Sequence, residues 1–504
     1  MKIKFLLFVG FFFLLTALAF AQQSTAPYAI NVNIGTTVKK IDKNILGLNI
    51  EWIEDGNFLW DKTQNVPTAA SWGDVQGLAP SVIRFPGGTF SDFYHWKDGV
   101  GPVAARPNRQ PSSADGRVFD NAFGTDEFLT FTSKLGAEPF ITVNVGSATS
   151  AEAADWVRYC NVTGQIKKVK YWELGNELYL NGDPASSAVT ETPAVYAAKV
   201  VEFAKAMKNI DPAIKLAAIG GTNTGLYNMM QYSAWDQTVL QKAAPYIDYL
   251  AVHNSYYPIV TDSNTYTKAE LYPALFGADS LIQDNLKKLA SEISTFAPAY
   301  RTKIKIAVTE WSSLFGWAPD GPYTEETRTL GSAIYMALML KTYISNDNVG
   351  MVHFFKLSGS DFMSLVQAGK KCPSYYAFQF FSKDFGTDLL TTTTSCPKYN
   401  TSKRIGVIAP LTGVPSLEAI SSKDSSGNVY VIAINKDTVS AHTCTITFSG
   451  NSLTKFSGTM SLLSADDVTS KDAVLQNSMV SGTGKIVVVL PKNSIAKFKL
   501  QIVK

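Results

Sequence analysis

From about residue 43 to 356, short apolar runs rich in β-branched and aromatic residues alternate with longer segments of helical period. That alternation is the signature of βα units feeding a parallel sheet. Eight strands are predicted: Ile45–Trp52, Ser81–Pro86, Glu138–Val145, Val169–Leu174, Lys215–Gly220, Ile247–His253, Lys305–Glu310 and Gly350–Lys356. The helices between them are equally legible. After Gly124-Thr125, the stripe Phe128, Leu129, Phe131 and Leu135 keeps to one face, and Gly136 suits the position just past a helix end. Pro193 opens another helix, in which Tyr196, Val200, Phe203 and Met207 recur at three- and four-residue steps before Asp211-Pro212 stops it. Eight such units predict a closed (β/α)8 TIM barrel of the α/β class. The competing open, doubly wound sheet announces itself by a glycine-rich turn after the first strand, and Gly47-Leu-Asn-Ile-Glu51 is no such turn.

Beyond about Tyr375 the helical stripes vanish. Short alternating strands take over at Ser416–Ser421, Val429–Asn435, Cys444–Phe448, Lys485–Leu490 and Ala496–Val503, with Ser425-Ser-Gly-Asn428 as a hairpin turn. A barrel over residues 43–374 is therefore expected to be followed by a C-terminal antiparallel β-sandwich over 375–504. The strand-like segment 22–42 precedes the first barrel strand and is expected to join that sandwich.

The first residues bear on compartment. Lys2 and Lys4 precede an apolar run from Phe5 to Phe20, and Ala19-Phe20-Ala21 supplies a small-residue cleavage pattern. The run is short for a membrane span, so residues 1–21 read as a cleaved signal peptide, with a mature start near Gln22 and a secreted or periplasmic product. A formal charge of +3 with no basic block gives no reason to expect nucleic acid or, once the leader is gone, a membrane. Four cysteines are too few for a disulfide scaffold, although Cys372 and Cys396 flank one segment and could pair. The four histidines are scattered without zinc-motif spacing, which argues against a metal site. Asn161-Val-Thr163 and Asn400-Thr-Ser402 are glycosylation sequons in a host that glycosylates. Nothing in the sequence speaks to oligomeric state.

Active sites of (β/α)8 barrels lie at the carboxyl ends of the strands. The polar residues found there are Glu51, Arg84, Asn144, Asn176 with Glu177, His253 and Glu310. An isolated Glu in such a place is usually a solvated loop residue or an arginine's partner. Two features change that balance. Trp172-Glu-Leu-Gly-Asn-Glu177 compresses an apolar strand, a permissive Gly and an amide–acid pair into one turn, and Thr309-Glu-Trp311 sets a second acid beside an aromatic that could wall a sugar site. Glycoside hydrolysis needs such equipment: one acid protonates the departing oxygen, a second attacks the anomeric carbon or activates water, and an amide such as Asn176 can bind the sugar 2-hydroxyl. No Gly-x-Ser-x-Gly elbow occurs, so serine hydrolase chemistry finds no support.

These two acid motifs resemble the acid/base and nucleophile motifs of clan A glycoside hydrolases. Within the clan the chain most resembles glycoside hydrolase family 51, the α-L-arabinofuranosidases. The likeness runs through Arg84-Phe-Pro-Gly-Gly-Thr-Phe90, Trp96-Lys-Asp-Gly-Val-Gly-Pro102, Phe123-Gly-Thr-Asp-Glu-Phe128, Ala154-Asp-Trp-Val-Arg-Tyr-Cys-Asn161 and Leu490-Pro-Lys-Asn-Ser494. The resemblance implies a retaining mechanism, a barrel plus sandwich, no cofactor and an oligosaccharide or polysaccharide substrate. By motif, Glu177 resembles the general acid/base, Glu310 the nucleophile, Asn176 the 2-hydroxyl ligand, Glu51 a carboxylate holding substrate hydroxyls, and His253 a histidine after strand six. Tyr256 and Trp311 are further candidates for substrate contact, and Arg84 for support of Glu51 or Glu310. Trp52, Trp60, Trp72, Trp96 and Trp317 are as readily core as platform.

Three positions depart from the family pattern. Thr89 stands where an Asn is usual. Ser255 precedes both Tyr256 and Tyr257, which leaves open which tyrosine follows the histidine. Strand eight carries His353 and Lys356 but no glutamine near its end. All three lie in sugar-binding positions. The leading expectation is an exported, exo-acting α-L-arabinofuranosidase. A clan A β-glycanase of endo-glucanase or xylanase type is the alternative, and an inactive carbohydrate-binding protein on the same scaffold is a remote third that the presence of both acids disfavours.

Overall fold

The computed structural model describes residues 27–111, 116–180, 187–223, 234–260, 265–316, 321, 323–359, 363–367, 369–450 and 455–503. The predicted leader and Trp317 lie outside them. All eight predicted strands are present, and they close into a parallel barrel in chain order: Gly47–Asn49, Val82–Phe85, Glu138–Val143, Tyr171–Leu174, Lys215–Ile219, Tyr249–His253, Lys305–Trp311 and Val349–Phe354. Alternation along the strands sorts their side chains. Val82, Phe140, Tyr171, Ala217, Ala251, Ala307 and Met351 pack together inside the barrel as one apolar layer. Two residues further along, Arg84, Thr142 and Glu173 form a buried polar layer, and the strands' carboxyl ends open above it.

A helix follows each barrel strand. Thr125–Leu135 ends at Gly136 with φ 76°, and Pro193–Ile210 buries Tyr196, Val200, Phe203 and Met207, as their periodicity predicts. Leu330–Ser345 is apolar on nearly every face. Such a helix must be covered all round, and this one lies between the barrel and the C-terminal sheet. The last of the set, Pro373–Ser382, packs on Ala69–Leu78 and Leu330–Ser345. The barrel therefore extends past the expected boundary at 374, because Tyr375, Phe378 and Phe381 still form a helical stripe that buries itself in the barrel's outer layer.

The C-terminal region is a nine-stranded, mostly antiparallel sheet wrapped about its own core. Its order is Val474–Thr483, Lys455–Ser464, Ser494–Val503, Val429–Asn435, Leu417–Lys423, Asp388–Ser395, Tyr28–Lys40, His442–Ser449 and Lys485–Leu490. Tyr28–Lys40 runs antiparallel to Asp388–Ser395 and parallel to His442–Ser449. Its alternating Tyr28, Ile30 and Val32 meet Val431, Cys444, Ile446, Phe448 and Phe498 in that core. All four cysteines are free thiols, so Cys372 and Cys396 do not pair in this structure. Asn161 is buried, with its amide donating to Val169 O (2.9 Å) and Asp211 Oδ2 (2.8 Å), and so makes a poor glycan acceptor.

Candidate active site

Arg84, on barrel strand two, organises the floor of the site. Its guanidinium is fully buried and donates three ways: Nε to Glu173 Oε2 (2.7 Å), one terminal nitrogen to Glu310 Oε1 (2.8 Å) and the other to Asn176 Oδ1 (2.7 Å). A buried cation demands this much pairing. The guanidinium's planar fork supplies it to strand four, strand seven and the turn after strand four at once.

That turn carries backbone strain. Gly175 (φ 80°) and Glu177 (φ 46°) both sit in the left-handed region, which is costly for a side chain such as glutamate. Asp92, from the turn after strand two, holds the turn in place. Its carboxylate accepts from the backbone N–H of Asn176 (2.7 Å), Val145 (3.0 Å) and Gly146 (3.0 Å), tying the loops after strands three and four together. Burial pushes this carboxyl up to about 7, against the three amides that favour its anion.

Glu177 thereby faces His253, whose Nδ1 lies 2.5 Å from Glu177 Oε1 and 3.7 Å from Glu310 Oε2, while Nε2 lies 3.1 Å from Thr309 Oγ1. Burial depresses the imidazole's basicity, but the Glu310 and Glu177 carboxylates outweigh it and the net shift is upward. Tyr256 donates its hydroxyl to Glu310 Oε2 (3.0 Å), which answers which tyrosine follows the histidine; burial and the nearby carboxylates keep that phenol protonated. Strand seven delivers Thr309 and Glu310 together because its register slips there against both neighbours.

One oxygen or nitrogen from each of Glu177, His253 and Glu310 lies within 4.8 Å of the others, a spacing that could admit a metal ion. The Arg84 cation 2.8 Å from Glu310 works against a second positive charge in that space.

Glu51 lies one turn away. The N–H groups of Ile50 and Trp52 donate to Arg84 O and Pro86 O, which sets Glu51 against the paired-glycine turn. A Cβ added at Gly87 would come within 2.7 Å of Glu51 Cγ, and one at Gly88 within 2.8 Å of Glu310 Oε1, so only glycine fits between the two acids. Arg84 does not touch Glu51, contrary to one of the two expectations; Lys356 is the cation on Glu51. Thr89 follows this turn, half-buried. Asn144 spends its side chain on Ser147, Ala148 and Tyr94, organising a loop. His353 is buried against Phe140 inside the barrel, held neutral by burial and by Arg84.

Trp311 is not a sugar platform. It is fully buried and packs edge-on against Tyr343 and Phe354, because the residue after inward-facing Glu310 turns to the outer layer. Trp52, Trp60 and Trp96 are buried as well, and Trp72 packs on Phe131. Sequence reasoning missed Glu173 and Asp92. Glu173 carried a signal, since it shares inward parity with Tyr171 in a buried strand and needed a cation. Asp92 carried none, being one acid in a polar turn.

Comparison with known proteins fits this geometry. A family model described as an alpha-L-arabinofuranosidase 1 domain matches residues 74–257. A probable alpha-L-arabinofuranosidase C of Aspergillus clavatus is 29% identical over 387 residues, covering 70% of this chain and 72% of that protein. An intracellular exo-alpha-L-arabinofuranosidase of Bacteroides ovatus is 24% identical, covering 99% and 100%. The crystal structure of an alpha-L-arabinofuranosidase from Thermotoga maritima superposes with a TM-score of 0.79 at 24% identity, over 94% of this chain and 100% of that one. The chain is a glycosidase that resembles the clan A glycoside hydrolases, most of all family 51. In this glycoside hydrolase the matched segment carries Arg84, Asn176, Glu177, His253 and Tyr256, while Glu310 and Lys356 lie beyond it.

Proposed function

We propose that this glycosidase is an exported, retaining, exo-acting α-L-arabinofuranosidase that removes arabinofuranosyl residues from plant-type polysaccharides or oligosaccharides. The observation that carries the retaining assignment is the closeness of the two acids: an oxygen of each lies within 4.8 Å of the other. Retaining pairs sit about 5–5.5 Å apart, whereas inverting pairs leave roughly 6.5–9.5 Å for a water. The names of the relatives support the sugar.

In this reading Glu310, held by Arg84 and Tyr256, attacks the anomeric carbon as the glycosidic C–O bond breaks. Glu177 gives its proton to the leaving oxygen. Water then displaces Glu310 from the sugar while Glu177 takes the water's proton, which restores both groups. Asn176 supports the sugar assignment further. Its Oδ1 is fixed by Arg84, and its buried Nδ2 has no hydrogen-bond partner among the described residues, a donor suited to a sugar hydroxyl.

The test is a panel of aryl glycosides and polymeric xylan and β-glucan, run with wild type, Glu310→Ala and Glu177→Ala. Release of arabinofuranose by wild type, its loss in Glu310→Ala and azide rescue of Glu177→Ala are expected. Cleavage of the polymers alone would overturn the exo-arabinofuranosidase reading in favour of a β-glycanase, and an inverted first product by proton NMR would overturn retention. Export rests on residues 1–21; a purified protein still beginning at Met1 would refute it.

A further inference from the structure

The family resemblance gives no role to a cation at Glu51, yet Lys356 is placed as deliberately as any residue in the site. It lies two residues past the end of barrel strand eight and is only 4% exposed. Its ammonium donates to Glu51 Oε2, which also accepts from Asn57 Nδ2 at 3.2 Å. Asn57 in turn accepts the Glu51 N–H through Oδ1 at 2.6 Å, so the glutamate is fixed at backbone and side chain alike. The lysine is wedged as well. A Cβ at Gly359 would fall 2.8 Å from Lys356 Cε, and the strand-end backbone is tied by Lys356 N–H to Met363 O (3.3 Å) and Leu365 N–H to Lys356 O (3.1 Å). The Glu51–Lys356 pair shares the Gly87-Gly88 turn with Glu310, so it lies beside the reacting carboxylates.

Burying a carboxylate without a partner is costly, and a buried ammonium in contact with it offsets that cost and fixes its orientation. Both Lys356 and Asn57 bind the same oxygen. Oε1 makes no hydrogen bond with any described residue, which leaves an acceptor at the site's edge.

We propose that Lys356 is a specificity-determining positioning residue: it holds Glu51 in place so that Glu51 Oε1 accepts one particular hydroxyl of the glycone. The inference rests on the glycosidase reading of the site and adds to it the residue that sets glycone selectivity. The two are separable, because loss of turnover in Glu310→Ala tests the reaction without involving Lys356.

The experiment compares wild type, Lys356→Met, Glu51→Gln and the double variant on the aryl glycoside that wild type cleaves and on its singly deoxygenated analogues. Lys356→Met is expected to lower kcat/KM about 10- to 100-fold, the range of a hydrogen bond to a charged group, chiefly through KM. The double variant should be little worse than the poorer single variant. For one deoxy analogue the effect of Lys356→Met should largely vanish, because the hydroxyl that Glu51 would bind is gone. A merely structural lysine would penalise every analogue equally and add to Glu51→Gln, and either result overturns the proposal. Should Lys356→Met fail to fold, Lys356→Gln keeps a donor of similar size without the charge. It must show the same dependence on one hydroxyl at smaller amplitude; equal losses on all analogues would again refute the assignment.

Discussion

Arg84→Lys keeps the charge and removes the fork, so it isolates what three-way hydrogen bonding contributes. In the wild-type site the guanidinium reaches Glu173 at 2.7 Å, Glu310 at 2.8 Å and Asn176 at 2.7 Å from three separate nitrogens. An ammonium concentrates its donors on one atom at the end of a shorter side chain, and these acceptors stand on different strands. Whichever carboxylate it serves, the other is left buried beside an unmatched charge. Glu173 is the less protected of the two: among the described residues its Oε2 retains only Thr142 (2.7 Å), and its Oε1 already lacks a partner. Breaking a buried pair in this way costs about 3–5 kcal/mol of stability. Loosening Glu310 and Asn176 together removes interactions worth about 1.5–3 kcal/mol where a charge is involved, or roughly 10- to 100-fold in kcat/KM. Thermal unfolding and steady-state kinetics on an aryl glycoside read the two losses separately. A variant that melts within about a degree of wild type and keeps kcat/KM within about threefold would show that net charge alone is required, and the argument from geometry would fail.

Trp311→Phe should lower thermal stability through incomplete filling of the space between Tyr343 and Phe354, while KM stays within about twofold; a roughly tenfold rise in KM would restore the tryptophan to a sugar-stacking role. Asp92→Asn sets an amide N–H against the Asn176 N–H, so kcat should fall about tenfold for one unmade buried hydrogen bond. The same variant changes the pH dependence. Burial raises the Asp92 carboxyl from 3.8 to about 7, so the folded chain binds a proton that the unfolded chain releases. Its stabilising contribution is full below about pH 4 and declines to nothing as pH rises through 7, on the order of 4 kcal/mol in all. The amide that replaces the carboxyl in Asp92→Asn does not titrate. Melting temperatures from about pH 4 to 7 should therefore fall less steeply in the variant, and identical slopes would place the titration elsewhere.

The barrel was legible because each of its strands is buried on both faces or ends in a charged residue, so apolar runs and their punctuation stand out. Three strands of the C-terminal sheet were not. Val474–Thr483 is largely exposed on both faces, Asp388–Ser395 is half threonine, and Lys455–Ser464 is interrupted by Gly458 and serines. Alternation reports a buried face, and strands whose side chains have little to bury leave little of it. The same reasoning explains the site. Glu177 and Glu310 were found because they follow strands. Trp311 was misjudged because a one-residue slip in register, invisible in the sequence, decides which of three consecutive polar and aromatic residues faces inward. The Asp92 clamp and the Lys356–Glu51 contact join residues far apart in the chain, and no local pattern announces such a meeting.

The strand Tyr28–Lys40 has both of its ladder partners on the far side of the barrel in sequence. Lys40 and its ion-pair partner Asp388 are separated by 348 residues, and the parallel partner His442–Ser449 comes later still. A ribosome adding about 5–20 residues per second takes on the order of half a minute to cover that interval. Throughout it, a strand whose inner face is Tyr28, Ile30 and Val32 is synthesised, exposed and unpaired on both edges. Among the first segments made, it is one of the last to be buried, and the nascent chain must keep that edge from pairing with a neighbour's until its own sheet arrives.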